Sequence, residues 1–399
     1  MLINFRNALM AEKRIPYDAE VEYLESTGTQ WIDTGVYGNS DTVAELSFAM
    51  TDSARSDAGI FGSRKGYQQD CFTILRVASS QGAFWMHYGN ERTSANYIST
   101  VIGNTTAWHT ARLARSWNID TSTGTAGQYT FTTPTTLKVF AADISASGRW
   151  YAKMRLASLK IYDANNVLVR DYIPVRKGTV GYLYDRVSGK LFGNAGTGDF
   201  VLGTDVVPVE YLQSDGGQYI QTDFTPDDSY GFEVDCFTPV ASSSYNSRAI
   251  GLQNGQVRWL YCTERRASSD SFFGWNEAVL VGNQSDKRIV ARCNWLNNRT
   301  ISIGDTVYKS NLATLGSMGG LKAVLFGINN GGSVLTSQLF VGKMYSAKVS
   351  IGNAIGYNYT PVRVGTEGAM MDVLTRRIYR NAGTGAFTYG DDLKYPIPA

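Results

Sequence analysis

The chain has 399 residues, with 37 Lys and Arg against 35 Asp and Glu, a formal charge of +2. This balance excludes the strongly basic footprint of a duplex-binding protein, and no run approaches the roughly 18 apolar residues that span a bilayer. We therefore expect neither nucleic acid nor membrane as a partner. The hydrophobic fraction of 43% is typical of a folded protein. The cysteines lack CxxC spacing, which favours reduced structural thiols over a zinc site or a disulfide framework.

The first 16 residues read MLINFRNALMAEKRIP. Arg6 interrupts the apolar stretch, so the segment does not match a secretory signal, which needs about 7–15 apolar residues. Phe5, Leu9 and Met10 form a short amphipathic pattern that ends before Pro16. A helix that short is marginal in isolation. The alternatives are a frayed terminus and a helix that anchors the chain in a larger assembly, with Phe5, Leu9 and Met10 as its anchoring residues.

The chain repeats itself. VEYLESTGTQWIDTG at 21–35 returns as VEYLQSDGGQYIQTD at 209–223, and Tyr172–Phe200 matches Tyr359–Phe387. Both copies of the second block contain Pro-Val-Arg and Asn-Ala-Gly-Thr-Gly. A period of about 185 residues far exceeds the 20–50 residues of solenoids and propellers, so it indicates whole domains in tandem. We predict four segments along the chain: a leader at 1–16, sandwiches at 17–206 and 207–393, and a tail at 394–399.

Both copies are predicted to be β. Apolar and polar residues alternate over 44–50 in the first copy and over 232–236 in the second, which indicates half-buried strands. No helical period longer than two turns follows Pro16. Many short strands in a unit of this size favour a two-sheet antiparallel sandwich. Gly189 suits the positive φ of one hairpin turn, whereas Arg376 at the matching place predicts a different turn or backbone strain.

Three segments carry a resemblance to a known family: EYLESTGTQWIDTG, KIYDANNVLVRDYIPV and GYLYDRVSGKLFGNAGTGDF. They resemble concanavalin A-like (laminin-G-like) jelly-roll domains, in the version found in phage and prophage structural proteins of gut bacteria. The resemblance covers nearly all of 1–393, and the second copy departs from it at Gln221, Asp223 and Met370–Met371. It implies an all-β chain with two tandem concanavalin A-like antiparallel β-sandwich domains and a short N-terminal helix.

Related sandwiches include glucanases, so we tested for a carboxylate pair. Retaining glycosidases place two acids about 5–5.5 Å apart. The nearest pattern is Glu20, Glu22 and Glu25, where strand alternation puts the third acid on the opposite face. Only one of the three acids returns in the second copy, which favours a solvated strand edge. His87 and His109 lie in no nucleophile signature. We therefore predict no catalytic residue and no enzyme.

Calcium is the cofactor that the sequence leaves open. Asp223, Asp227 and Asp228 cluster with Thr225, and a second acidic pair stands at 391–392. Calcium takes several hard oxygen ligands from such loops. Neither cluster has the spacing of a specific site, and Asp is also a common turn residue. We therefore predict no metal ligands and no cofactor.

Carbohydrate binding is the positive prediction. Sugars stack on aromatic rings while amides and carboxylates bind their hydroxyls, and the chain has 8 Trp, 24 Tyr and 17 Phe. A sandwich core also consumes many aromatic residues, so each candidate competes with simple packing. The candidate residues are Trp31, Trp85, Tyr88, Asn90, Phe273, Trp275 and Asn276.

These observations suggest a chain with no export signal but with the features of a displayed β module. A virion component assembled in the host cytoplasm fits both. We expect a bacteriophage structural protein, a head fibre or capsid decoration protein, that displays two lectin-like sandwiches and contacts host or mucosal glycans. Its partners would be capsid or other virion proteins and further copies of itself, as a dimer or trimer. The alternatives are a bacterial surface or secreted carbohydrate-binding adhesin, and a glycoside hydrolase whose acids were lost or relocated.

Overall fold

A computed structural model divides the chain into two compact units, Met1–Asp205 and Val206–Ala399. The leader, with Phe5, Leu9 and Met10 and the predicted N-terminal helix, lies outside the described residues. No helix within the described part of the chain has the length and hydropathy to cross a bilayer. The structure describes residues 15–52, 57–66, 69–77, 83–90, 97–100, 106–144, 148–240, 246–264 and 270–397.

Unit 1 is built from short, mainly antiparallel strands. In chain order they are β1 (Ala19–Glu20), β2 (Leu24–Thr27), β3 (Ile32–Asn39), β4 (Val43–Met50), β5 (Ala58–Ser63), β6 (Cys71–Val77), β7 (Ala83–Gly89), β8 (Tyr97–Thr100), β9 (His109–Leu113), β10 (Ser116–Ile119), β11 (Ser122–Thr125), β12 (Thr132–Val139), β13 (Ala141–Asp143), β14 (Arg149–Tyr151), β15 (Lys153–Tyr162), β16 (Leu168–Lys177), β17 (Val180–Asp185), β18 (Lys190–Phe192) and β19 (Val201–Leu202).

Unit 2 repeats this pattern and contains 3₁₀ turns at Trp295–Asn297 and Thr336–Gln338. Its strands are β20 (Val206–Pro208), β21 (Leu212–Asp215), β22 (Ile220–Gln221), β23 (Tyr230–Phe237), β24 (Asn246–Asn254), β25 (Val257–Glu264), β26 (Phe272–Trp275), β27 (Glu277–Leu280), β28 (Arg288–Cys293), β29 (Ile301–Ile303), β30 (Thr306–Lys309), β31 (Val324–Leu325), β32 (Asn329–Asn330), β33 (Ser333–Val334), β34 (Val341–Ile351), β35 (Ala354–Val364), β36 (Glu367–Asp372), β37 (Ile378–Tyr379) and β38 (Thr388–Tyr389).

Each unit is a sandwich of a larger and a smaller sheet. The larger sheet runs β11-β10-β9-β4-β15-β16-β17-β18 in unit 1 and β30-β29-β28-β23-β34-β35-β36-β37 in unit 2. The smaller sheet runs β14-β13-β5-β6-β7-β8 in unit 1 and β22-β31-β24-β25-β26-β27 in unit 2. The predicted fold class is confirmed in its architecture, an all-β chain of two tandem antiparallel β-sandwiches.

The core of each unit lies between its two sheets. Phe48 in β4 and Phe232 in β23 are fully buried there, as the alternation predicts. Burying one such ring is worth about 1.5–3 kcal/mol. The cysteines are free thiols, and all of those described are buried in the sandwiches.

A buried glutamine clamps the first strands of each unit to its last segment. In unit 1, Oε1 of Gln30 accepts the Thr27 N–H at 2.9 Å, and its Nε2 donates to the Asp199 carbonyl at 3.0 Å. In unit 2, Gln218 makes the matching bonds to Asp215 (3.0 Å) and to the Ala386 carbonyl (3.2 Å). The repeated opening block is therefore a structural device that closes each sandwich.

The repeated Asn-Ala-Gly-Thr-Gly block works in the same way. Oδ1 of Asn194 accepts the N–H groups of Trp31 (3.1 Å) and Gly196 (2.8 Å). Oδ1 of Asn381 accepts the N–H groups of Tyr219 (3.2 Å) and Gly383 (2.8 Å). The two ends of each copy are therefore tied together by one asparagine as well as one glutamine.

The hairpin turn that contains Gly189 in unit 1 and Arg376 in unit 2 has the same geometry in both copies. Gly189 has φ +70° and donates its N–H to the Asp185 carbonyl at 2.8 Å. Arg376 has φ +62° and donates to the Asp372 carbonyl at 2.7 Å. The turn therefore keeps its geometry, and Arg376 bears the left-handed strain that a glycine avoids.

The clamps give a paired prediction. Gln30→Ala should destabilise unit 1 and Gln218→Ala should destabilise unit 2, each by about 2 kcal/mol, because buried backbone groups lose their partners. Hydrogen–deuterium exchange measures the stability of each unit separately. Gln221→Ala is the matched control, since Gln221 is exposed in the same block of unit 2. Equal loss of protection in Gln218→Ala and Gln221→Ala would contradict the clamp.

Candidate functional site

The structure separates the predicted sugar-binding residues of unit 1. Trp85 lies half-buried on the outer face of the smaller sheet, the face directed away from the core. Tyr88 is three residues further along β7 and faces inward, where it is 3% exposed. Its hydroxyl donates to the Ser40 carbonyl, and its ring packs edge-on against Phe131 with 5.0 Å between centroids. The prediction for Tyr88 is therefore wrong, because the ring is part of the core.

Trp31 is half-buried, but cations stand over its ring. The Arg149 guanidinium lies 3.7 Å from the ring centroid, and the Lys138 ammonium lies 5.6 Å from it. Asp143 fixes the guanidinium at 2.6 Å, and Asp33 fixes the ammonium at 2.7 Å. A sugar stacking on this ring would have to displace a cation held by a carboxylate, so Trp31 is a poor platform.

The predicted polar residues Asn90 and Asn276 hold loops. Oδ1 of Asn90 accepts the Asp70 N–H at 2.5 Å. Asn276 has φ +59°, donates from Nδ2 to the Thr314 carbonyl at 2.8 Å, and accepts the Gly316 N–H at 3.0 Å. These amides have structural partners within the chain.

Phe273 and Trp275, the predicted aromatic platform of unit 2, are core residues. They are 0% and 2% exposed, and Nε1 of Trp275 donates to the Ala313 carbonyl at 2.6 Å. Their side chains fill the space between the sheets, so the prediction is wrong for both. Because alternate residues of a strand face opposite ways, Phe272 and Gly274 are the residues of β26 that face outward.

In unit 1 the outer face carries an aromatic patch, which we define as Arg64, Trp85, His87 and Trp150. The two tryptophan rings pack on Leu75 and its buried apolar neighbours. The Trp85 and His87 rings lie 5.6 Å apart, and the Arg64 guanidinium lies 5.6 Å from the Trp150 ring. Of these four residues, only Trp85 was among the predicted sugar-binding residues.

Arg64 and His87 are joined within this patch. Arg64 is 5% exposed and His87 is 4% exposed. Nη1 of Arg64 donates to Nδ1 of His87 at 3.1 Å, which requires a neutral imidazole. Burial and the Arg64 charge lower the pKa of His87 to about 3. The guanidinium is also held by the Ile144 carbonyl at 3.3 Å, so its position is fixed.

The smaller sheet of unit 2 carries a related pair. Phe272 is half-buried on its outer face, and the Arg248 guanidinium lies 6.0 Å from its ring. Phe272 pairs with Cys262 in β25 as Trp85 pairs with Leu75 in β6, so the two aromatic residues occupy the same place. Strand register was the missing signal, since Phe272 and Phe273 are indistinguishable by residue type.

A separate cleft of about 760 Å³ opens between the 225–229 and 315–320 loops of unit 2. At its mouth, Arg299 makes a bidentate ion pair with Asp228, which also accepts the Leu315 N–H at 2.6 Å. The hydrogen bonds from Arg299 lower the pKa of Asp228. No aromatic residue occurs among the described residues of its lining, so the cleft offers no stacking surface.

The candidate calcium clusters are engaged with protein donors. Asp223 accepts the Tyr379 hydroxyl at 2.9 Å and pairs with Arg377 at 2.5 Å. Asp392 accepts two hydrogen bonds from Arg363, at 2.7 and 2.5 Å. No group of three metal-binding side chains occurs in the described part of the chain.

The acids at 20, 22 and 25 do not share one strand. Glu20 ends β1, whereas Glu25 lies in β2. Glu20 is fully buried and accepts the Tyr17 hydroxyl at 3.1 Å, and Glu25 pairs with Arg155 at 2.7 Å. The predicted solvated edge is therefore wrong for Glu20, which is a core carboxyl held by a tyrosine.

The His87 environment predicts a pH dependence. Between pH 3 and 6.5 the unfolded chain binds a proton at His87 that the folded chain does not, so stability falls as the pH falls. At pH 5 the loss relative to pH 7.5 should be about 2 kcal/mol. His87→Gln keeps an acceptor for Arg64 and should remove this part of the pH dependence. Denaturant unfolding of both proteins at the two pH values measures it, and parallel pH profiles would contradict it.

Comparison with known proteins adds one structural similarity. No protein-family profile matches the sequence, and a search of curated proteins finds no match. Among solved structures, the chain is similar to the mouse laminin alpha1 chain, domains LG4-5. The alignment covers 97% of each chain at 10% sequence identity with a TM-score of 0.29. A TM-score this low gives no correspondence between individual residues.

Proposed function

We propose that this chain is a non-catalytic carbohydrate-binding protein that holds sugar on the outer faces of its smaller sheets. The observation that carries the proposal is the recurrence, in both units, of a half-buried aromatic ring beside a guanidinium at that face. An aromatic ring stacks on the apolar face of a pyranose, and a guanidinium donates several hydrogen bonds to its hydroxyls.

The unit 1 patch is prepared for such a ligand. Trp85 and Trp150 are seated on a buried apolar cluster, and Arg64 is fixed by His87 and by a backbone carbonyl. Groups that are already ordered lose little conformational freedom on binding, which favours affinity. Of the acids tested as a glycosidase pair, Glu20 accepts the Tyr17 hydroxyl and Glu25 pairs with Arg155, which supports binding without catalysis.

Alanine substitution of the patch tests the proposal. Trp85→Ala and Trp150→Ala should each weaken glycan binding about tenfold, which is about 1.4 kcal/mol, through loss of ring stacking. A glycan array identifies the ligand, and titration calorimetry then measures the change. Tyr151→Ala is the matched control, since Tyr151 is 40% exposed but follows Trp150 on the opposite face of β14. An equal loss in Tyr151→Ala, or no binding to any glycan, would refute the proposal.

We further propose that the chain is a bacteriophage virion protein, a head fibre or capsid decoration protein, assembled in the host cytoplasm. The support is the sequence resemblance together with four buried free thiols, which suit folding in a reducing compartment. Capsid or other virion proteins would then be its partners, and the Phe5, Leu9 and Met10 side chains of the leader would anchor it as a dimer or trimer.

Deletion of residues 1–14 tests this assignment. In cells that assemble the particle, the full chain should co-purify with virions in fixed proportion, and the deleted chain should be lost from them. Glycan binding by the deleted chain should be unchanged, which shows that it still folds. Full incorporation of the deleted chain would contradict anchoring by the leader. Glycan binding by a full chain that never enters particles would favour the adhesin.

A further inference from the structure

The outer face of unit 2 contains a hollow of about 290 Å³ beside the Phe272 ring. Its lining includes Ala278 of β27, which pairs with Gly274 of β26. A Cβ atom at Gly274 would lie 2.7 Å from the Arg258 Cβ and 2.9 Å from the Leu260 Cγ, so these two side chains occupy the space above the glycine. Gly274 therefore leaves room for Arg258, which lines the hollow.

The same position is filled in unit 1. Gly274 pairs with Leu260 in β25, and His87 pairs with Thr73 in the matching strand β6. His87 therefore stands at the strand position that Gly274 holds in unit 2, and its imidazole accepts a hydrogen bond from Arg64. Both outer faces place an aromatic ring near a guanidinium, Trp150 near Arg64 in unit 1 and Phe272 near Arg248 in unit 2, and they differ at the position of His87 and Gly274.

Cationic and amide groups surround the hollow. Arg248 is 8% exposed and Arg258 is half-buried, and none of the described lining residues is acidic. Planar guanidinium groups bind carboxylates through paired charge-assisted hydrogen bonds, and these strengthen where water is partly excluded. The hollow consequently favours an anion over a neutral group. Its polar and aromatic lining consists of Arg248, Gln253, Arg258, Phe272, Asn330 and Gln338.

One amide also lacks a donor. Oε1 of Gln338 is buried and accepts no hydrogen bond from any described residue. A buried carbonyl oxygen without a donor costs about 1–3 kcal/mol, which a ligand hydroxyl would recover. The hollow therefore combines groups for an anion, groups for hydroxyls and an aromatic wall.

We infer that this hollow binds the carboxylate of an acidic sugar residue, with the sugar ring against Phe272 and the carboxylate between Arg248 and Arg258. The inference rests on the proposed carbohydrate binding and names its ligand class in unit 2. The unit 1 face, where His87 fills the equivalent position, does not share this preference.

Matched ligands test the inference directly. Uronic-acid oligosaccharides should bind the full chain at least tenfold more tightly than the same oligosaccharides with methyl-esterified carboxyls, as measured by calorimetry. Arg258→Gln should abolish this preference while leaving the weaker binding of the ester unchanged. Arg288→Gln is the control, because Arg288 lies on the larger sheet of unit 2 and pairs with Asp235. The control should keep the full preference.

The outcomes separate the two proposals. Equal binding of acid and ester, with both weakened by Phe272→Ala, would overturn the acidic-sugar inference and leave carbohydrate binding standing. A preference for the acid that Arg258→Gln does not change would also overturn it. Tighter binding of sulfated neutral oligosaccharides than of uronic acids would overturn the carboxylate assignment. Absence of binding to every glycan would remove the proposed function itself.

Discussion

Ring packing between the two sheets of each unit decides which aromatic side chains are left for a ligand. In unit 2 the Phe232 and Trp259 rings meet edge-on at 4.9 Å, and Tyr261 and Phe273 lie 4.7 Å apart. These contacts fix the inward row of β25 and β26. Since a strand alternates its faces, an inward Phe273 forces Phe272 outward. The candidate ligand face is therefore a consequence of how the core is filled.

The fold could be predicted from the sequence because two independent signals agreed. The duplicated blocks indicated two domains, and the alternation around Phe48 and Phe232 indicated strands. The site could be predicted only in part. Phe272-Phe-Gly-Trp275 carries no apolar–polar alternation, so its inward and outward residues are not distinguishable before the strand is paired. Trp85 was identifiable by its residue type, whereas its neighbour Trp150 reaches the patch only through the pairing of β13 with β14.

The residues that the two copies share have mainly structural roles. Gln30 and Gln218 clamp the ends of the sandwiches, and the arginine of each Pro-Val-Arg block makes a bidentate pair with an aspartate. Arg176 binds Asp205 at 2.7 and 2.6 Å, as Arg363 binds Asp392. Internal repetition thus identifies what closes a sandwich. It does not identify a binding site, which explains why the repeated motifs did not indicate the outer-face patch.

The outer faces of the two smaller sheets differ, whereas the glutamine clamps are the same in both units. The outward aromatic residue is Trp85 in unit 1 and Phe272 in unit 2. Two residues further along the same strand, unit 1 has His87 where unit 2 has Gly274. Exchanging an imidazole for a hydrogen atom changes the shape of the face without disturbing the strands, because both residues point away from the core. Duplication with such changes gives two sandwiches that share their clamps and differ in the side chains of their outer faces.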